Sequence, residues 1–286
     1  MLDSSAVGLS VEQSFTYTWR DVILYNLAVG AKQEELQYVY EDGLKAVPTF
    51  GVLPCTATFN TEPYHSMPYM PTELIPDLRT DGTVHMEHSL ELYKPIPIGA
   101  KLRSEKTISA VYDRGPGKGA QIVVDILVYD ESGEKLCLNK MSYLNRWYDS
   151  FGGEKQPKTP NPVPEREPDM VLDGTFPENA ALLYRLTGDT YPMHASPEIA
   201  RSVGFPKPLL HGLCSLGNAC RMLTGALCGG NSEAVRGITV RFAGVTYPGD
   251  SFKLMIWNLG DGSAAYRMVN AESGQIILDR GTFSWV

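Results

Sequence analysis

Apolar positions along the 286-residue chain recur with two different periods. Period-two alternation, the mark of strands, runs through SLELYKPIPIGAKLRSEKTI from Ser89 and VVDILVYDESGEKLCLNKMSYLNRW beyond it. It returns in TVRFAGVTYPGDSFKLMIW from Thr239 and in YRMVNAESGQIILDRGTFSW. Each set opens with a strand-like run, crosses a Pro/Gly turn and resumes the alternation. Each then carries Glu-Ser-Gly, at Glu131–Gly133 and Glu272–Gly274, between two β-patterned segments, which reads as a hairpin turn. Order, turns and flanks agree, so the chain reads as an internal duplication.

Helical periodicity appears once in each half. WRDVILYNLAVGA can place Val22, Ile23, Leu27 and Ala28 on one face, with Gly30 near the stop. GLCSLGNACRMLTGALCGG places Leu213, Leu216, Cys220, Leu223 and Leu227 on a helical stripe and ends at Gly229-Gly230. The second helix is apolar around much of its circumference and rich in small residues. It is expected to be buried with a sheet wrapped closely around it. One buried helix and about five antiparallel strands, twice over, make an α+β double fold. The boundary is FGGEKQPKTPNPVPEREPDM, residues 151–170, with five prolines and seven charged side chains. Proline removes backbone donors and fixes φ, so this stretch reads as an extended linker between residues 1–150 and 171–286.

Composition narrows the partners. The 25 Lys+Arg against 33 Asp+Glu give a formal charge of −8 and a pI near 5.2, which argues against nucleic acid or a polybasic membrane contact. No apolar run is long enough for a membrane span, and MLDSSAVGLSVEQS lacks the features of a signal peptide. The five cysteines, Cys55, Cys137, Cys214, Cys220 and Cys228, show no CxxC or zinc spacing, and read as reduced thiols of an intracellular protein. DRGPGKG at 113–119 lacks the Walker spacing and reads as a hairpin loop. No G-x-G-x-x-G fingerprint is present, so no nicotinamide cofactor is implied.

The chemistry concentrates in YRLTGDTYPMHASPEIARSVGFPKPLLHGLCSLG, residues 184–217. Gly188-Asp189 and Tyr191-Pro192 are turn signals, placing Asp189 and His194 on a loop. Ser196-Pro197 reads as an N-cap with Pro at N1, opening a helix that stops at Gly204. Pro206 and Pro208 enforce an extended run to His211-Gly212, where the long helix begins. An Asp five residues before a His would, alone, read as a capped turn and a packed ring. Beside a glycine-led helix start the pair suits proton transfer next to a carbonyl. Histidine titrates near neutrality, and free N–H groups at a helix start can hold a developing oxyanion.

The same segment resembles the hydratase 2 motif of the MaoC-like family, roughly YRLSGDxNPLH followed by GFxxPILHGLCTLG. The resemblance extends through RFAGVTYPGD at 241–250, and in the first half through YTWRDVILYNLAVGA at 17–31 and HMEHSLELYKPIP at 85–97. It implies a double hotdog fold, with the active site in the C-terminal half and acyl-chain accommodation in the N-terminal half. It also implies hydration of trans-2-enoyl-CoA to (3R)-3-hydroxyacyl-CoA in fatty-acid β-oxidation, without metal or cofactor, by a homodimer. On this resemblance Asp189 and His194 match the catalytic pair and Gly212 the oxyanion-hole position. Glu87 matches a supporting glutamate, and His211 a structural residue before the helix. Peroxisomal location is implied too, although the final Ser284-Trp285-Val286 is not the Ser-Lys-Leu address and leaves the cytoplasm open. One departure stands out: the family has Asn two residues after the Asp, and Tyr191 stands there. A phenol reaches further and needs more room, so its hydroxyl is expected to be exposed or hydrogen-bonded. Arg236 and Arg241 are candidates for CoA phosphates, while His65 and His88 carry no usable pattern. Two other functions stay open: a hotdog thioesterase, and a non-catalytic acyl-CoA binding module.

Overall fold

The computed structural model describes residues 4–55, 70–75, 78–79 and 82–286; His65 and the Cys55 side chain lie outside what is described. Its elements in chain order are β1 (Ser10–Tyr17), α1 (Trp19–Ala28), α2 (Leu36–Val39), β2 (Thr83–Leu92), β3 (Ala100–Asp113), β4 (Ala120–Tyr129) and β5 (Lys135–Asn145). Then follow β6 (Met170–Thr175), α3 (Ala180–Tyr184), α4 (Pro197–Ser202), α5 (Gly212–Cys228), β7 (Val235–Phe242), β8 (Ser251–Gly260), β9 (Ser263–Asn270) and β10 (Ile276–Trp285). All ten strands join one antiparallel sheet in the order β1-β3-β4-β5-β2-β7-β10-β9-β8-β6.

That order displays the duplication. Read inward from either edge, the first half runs β1-β3-β4-β5-β2 and the second β6-β8-β9-β10-β7, the same five-strand path. The halves join through their equivalent strands β2 and β7, where Ser89 faces Thr239. The two Glu-Ser-Gly turns close the equivalent β4–β5 and β9–β10 hairpins, with Gly133 and Gly274 at φ of 82° and 71°. Each turn is held by a side chain one or two residues before it. Asp130 Oδ1 accepts from the Ser132 and Glu134 N–H groups, and Asn270 Oδ1 from those of Glu272 and Ser273. DRGPGKG is a hairpin loop, between β3 and β4. Residues 151–169 carry neither helix nor strand.

The second half matches the expected wrap. Every residue of α5 from Leu213 to Arg221 is buried, β7 and β10 pack against it, and Gly229 ends it in the left-handed conformation at φ 57°.

The first half differs. The element lying on β2, β3, β4 and β5 is not α1 but the 3-10 segment Pro48–Cys55. Gly51 sits so close to the sheet that a Cβ there would meet Ile96 and Leu90 methyls at 3.2 and 3.3 Å. Its carbonyl accepts from the Asn139 amide at 3.0 Å. Helix α1 instead packs against α3, α2 and β1, which joins the two halves. Val22 and Ala28 are buried and Ile23 packs against the core as expected, but Leu27 is 40% exposed and Tyr25 and Asn26 turn inward instead. The polar exception explains the shift. Buried Asn26 donates to the Tyr38 and Lys45 carbonyls and accepts from the Val47 N–H, pinning the chain that leads into Pro48–Cys55.

Helix α5 is locked to this junction. Arg221, 9% exposed, bonds both carboxylate oxygens of Glu35 at 2.9 and 2.7 Å and donates to the Val29 carbonyl. Gly217 lies against Val29, where an added Cβ would come within 2.3 Å of Cγ1 and 2.9 Å of Cβ. A β-branched neighbour cannot rotate out of that contact. Gly217→Ala is therefore expected to cost about 1–3 kcal/mol or more through overpacking, read as a lowered urea midpoint. The four described cysteine side chains, Cys137, Cys214, Cys220 and Cys228, are free thiols.

Candidate active site

The site is built on the punctuated loop between α3 and α5. The 3-10 turn Arg185–Thr187 ends at Gly188, whose φ of 122° no ordinary side chain adopts, and this reversal presents Asp189. Asp189 Oδ1 accepts from the Tyr191 N–H at 3.2 Å, closing an Asx turn. Pro192 then opens a second 3-10 turn that ends at His194. The Ser196 hydroxyl caps α4 at the Ile199 N–H, the predicted start.

Asp189, His194 and His211 converge, each with a ligand-capable side-chain atom within 4.8 Å of the others'. His194 is buried, and its Nδ1 lies 3.0 Å from the Leu209 carbonyl. A carbonyl only accepts, so Nδ1 carries a proton, and Nε2 is the ring nitrogen left to exchange a proton with a ligand. His211 Nε2 donates to the Asp189 carbonyl at 3.1 Å, which fixes the loop that holds the carboxylate. The two imidazoles stack with centroids 3.7 Å apart and planes 23° from parallel, and the Tyr184 ring closes over His211 at 4.9 Å.

Electrostatics separates the roles. Burial pushes the Asp189 carboxyl above the usual carboxylate range, opposed by His194, the Tyr191 N–H and the Arg185 cation. Burial and the neighbouring His194 hold His211 well below the ordinary imidazole value, so it stays neutral. The trio could supply three ligand atoms, but a metal lies in the plane of each imidazole it binds. Two nearly parallel planes this close have no common point next to both nitrogens.

Gly212 is the first residue of α5, and neither its N–H nor that of Leu213 meets an acceptor among the described residues. Cys214 and Ser215 instead donate to the His211 carbonyl. The Phe242 ring covers Gly212 so closely that a Cβ would lie 3.0 Å from it. His85 from β2 packs edge-on against Phe242 at 4.9 Å. Phe242, His85, Tyr184 and Arg185 are residues the sequence reading did not single out. Two of them stand inside the quoted motif, and Phe242 directly follows Arg241.

The remaining candidates lie elsewhere. Glu87 and Arg241 face each other across the β2–β7 seam, Oε1 to Nη1 3.8 Å, with Gln156 also reaching Glu87. They brace the strand that carries Phe242, and no bond joins them to Asp189 or His194 among the described residues. Arg236 is exposed and folds back on the Glu233 and Val235 carbonyls. Arg236 and Arg241 stand at opposite ends of β7, with a break in register at Arg236 between them. His88 is buried, bonded through Nε2 to Asn139 Oδ1 and held down to a pKa of about 4 by burial. Tyr191 is half-buried, and its hydroxyl is not among the buried groups left unpaired.

A duplicated five-strand sheet with a buried central helix defines a double hotdog protein, and the Asp/His loop beside that helix's start is its candidate acid–base site. A mycobacterial protein described as having a double hotdog fold shares the architecture, with a TM-score of 0.57 over 98% of this chain and 14% identity. The description "MFE-2 hydratase 2 N-terminal domain" matches residues 15–146, and "MaoC like domain" matches residues 155–279. The chain belongs to the MaoC-like enoyl-CoA hydratase 2 family. It is 34% identical over 251 residues to the enoyl-CoA hydratase ChsH3 of Mycobacterium tuberculosis, covering 86% of this chain and 85% of that one. It is 32% identical to the peroxisomal enoyl-CoA hydratase 2 of Arabidopsis thaliana, covering 86% and 83%. A solved MaoC-like dehydratase from Phytophthora capsici superposes with a TM-score of 0.87, at 28% identity, over 98% of this chain and 96% of the other.

Proposed function

We propose that this protein adds water reversibly across the double bond of a trans-2-enoyl-CoA, giving the (3R)-3-hydroxyacyl-CoA of fatty-acid β-oxidation. The observation that carries this reading is the meeting of the Asp189 carboxylate and His194 Nε2 near unpaired N–H groups at the start of α5. The two side chains hold one water against C3. As its oxygen bonds to C3, its proton passes to the pair, and the same pair delivers a proton to C2. The thioester oxygen gains enolate charge meanwhile and takes a hydrogen bond from the Gly212 N–H. Every atom added comes from water, and the proposed step is carried by these residues alone.

The test is crotonyl-CoA, followed by the ultraviolet absorbance of its conjugated thioester together with free thiol. Absorbance lost without thiol release supports hydration; thiol release supports a thioesterase, and neither supports a binding module. Relatives are named as peroxisomal in a plant and are also found in a mycobacterium, and the proposed CoA thioester substrate supports an intracellular site of action.

Tyr191 is proposed to narrow the acyl entrance, at the position where the motif this segment resembles has the smaller Asn. Tyr191→Asn is expected to broaden the range toward bulky or long acyl groups, measured as kcat/KM across a chain-length series. Unchanged ratios would place the phenol outside the working site. The assembly is proposed to be a homodimer, each subunit holding one complete site. Light scattering at micromolar concentration should give twice the 31.5 kDa chain mass; a fully active monomer would overturn it.

A further inference from the structure

Arg185 has no role in the chemistry above, yet it stands at the base of the Asp189 loop. It lies in the 3-10 turn whose end reverses at Gly188, and it reaches back over that reversal to the Thr190 carbonyl at 3.5 Å. Its side chain is half-buried, its Nε is a buried donor without a partner, and no carboxylate stands at ion-pair distance among the described residues. Other substantially buried cations here do pair: Lys106 with Glu73, Arg221 with Glu35, Arg267 with Asp279. A half-buried guanidinium left unpaired is costly unless a nearby negative charge compensates it.

We propose that Arg185 is a positioning residue whose guanidinium supplies the counter-charge for the Asp189 carboxylate without contacting it, leaving both carboxylate oxygens open to water. The inference rests on the reading of Asp189 as the acid–base group. A direct ion pair would stabilise the carboxylate equally well but occupy the oxygens that must hold the reacting water. A cation beyond contact adds charge and leaves the lone pairs unoccupied. The charged and titratable groups facing Asp189 are His194 on its own loop, His211 from the start of α5, and Arg185. His211 stays neutral, so Arg185 is the one permanent positive charge in that set. Its effect on Asp189 has the sign the proposal needs, pulling the carboxyl down against burial.

The experiment follows the Asp189 carboxyl by carbon-13 NMR through a pH titration, with Asp189→Asn assigning the resonance, in wild type, Arg185→Gln and Arg185→Lys. The Gln variant should titrate at higher pH than wild type, and the Lys variant, which keeps the charge, close to it. The acidic limb of kcat/KM on crotonyl-CoA should move the same way, with about tenfold loss at acid pH and recovery at alkaline pH in Arg185→Gln. An unmoved titration in Arg185→Gln, or one displaced in Arg185→Lys as far as in the Gln variant, overturns the proposal. If the Gln variant does not fold, Arg185→Met, which also removes the charge but keeps an unbranched stem, takes its place in the same comparison. A wild-type protein that leaves enoyl-CoA untouched sinks the hydratase reading instead, while the NMR titration still judges Arg185.

Discussion

Asp189→Asn lowers hydration of a trans-2-enoyl-CoA by ~10²-fold or more, the scale of a lost general acid–base group. The amide keeps the size of the carboxylate and can still accept from the Tyr191 N–H, so the Asx turn and the loop survive. What is lost is basicity toward the water. His194→Ala falls by a similar factor, because Nε2 disappears while the Leu209 carbonyl loses its donor. The double variant should fall little further than either single one, since the two groups act on one water. A folded Asp189→Asn protein with near wild-type hydration would remove this carboxylate from the mechanism. Stability moves the other way. Burial is the main cause of the raised Asp189 pKa, so the folded state prefers the protonated acid. That preference stabilises the fold below the unfolded-state carboxylate range, and it is lost as pH rises through the folded value. At neutral pH the neutral Asn avoids the cost of burying a charge. Asp189→Asn should therefore melt at or above the wild-type temperature at pH 7, with the gap narrowing on acidification. A catalytic group held at a cost in stability gives this pairing of lost activity with retained or raised melting temperature.

The sequence made the hairpins, α5 and the catalytic loop legible because each is specified locally. Glu131–Gly133 and Glu272–Gly274 need a left-handed glycine and a side chain that caps the turn, and both are written within five residues. Ser196-Pro197 and Gly229 delimit their helices in the same way. The inner element of the first half was not legible. Pro48, Gly51 and Pro54 suit a loop, and their 3-10 conformation depends on the sheet beneath and on the Asn139 bond to Gly51. Helix α1 was legible with Val22, Ile23 and Ala28 on its packed side, but Leu27 was misplaced and Asn26 was missed. Asn26 points inward because three backbone groups distant in sequence bond it, and no periodicity of apolar residues reports that. In the site, chemistry drew the reading to Asp189 and His194. Phe242 and His85 act only through packing between strands of different halves, and Glu87 joins Arg241 rather than the catalytic pair for the same topological reason.

Replacing the Gly212 amide by an ester, with glycolic acid at that position, lowers kcat by ~10²–10³-fold while KM changes little. Loss of one donor to a developing oxyanion has this magnitude, because the bond strengthens only as charge forms. The substitution deletes a single N–H and adds no atom, which matters under the Phe242 ring. A conventional change cannot separate the two effects: Gly212→Ala keeps the N–H but drives a Cβ to 3.0 Å from that ring. Crowding is instead isolated by Gly212→Ala with Phe242→Leu, which keeps the donor and relieves the contact, and which should recover most of the activity lost in Gly212→Ala alone. Helix α5 itself should tolerate the ester. Its first N–H makes no intrahelical bond, and the His211 carbonyl, weakened as an acceptor, still receives the Cys214 and Ser215 N–H groups. Unchanged melting with a large fall in kcat places the developing oxyanion at the start of α5. An ester variant that turns over like wild type moves the oxyanion site away from Gly212, and the unpaired Leu213 N–H would be the next donor to replace.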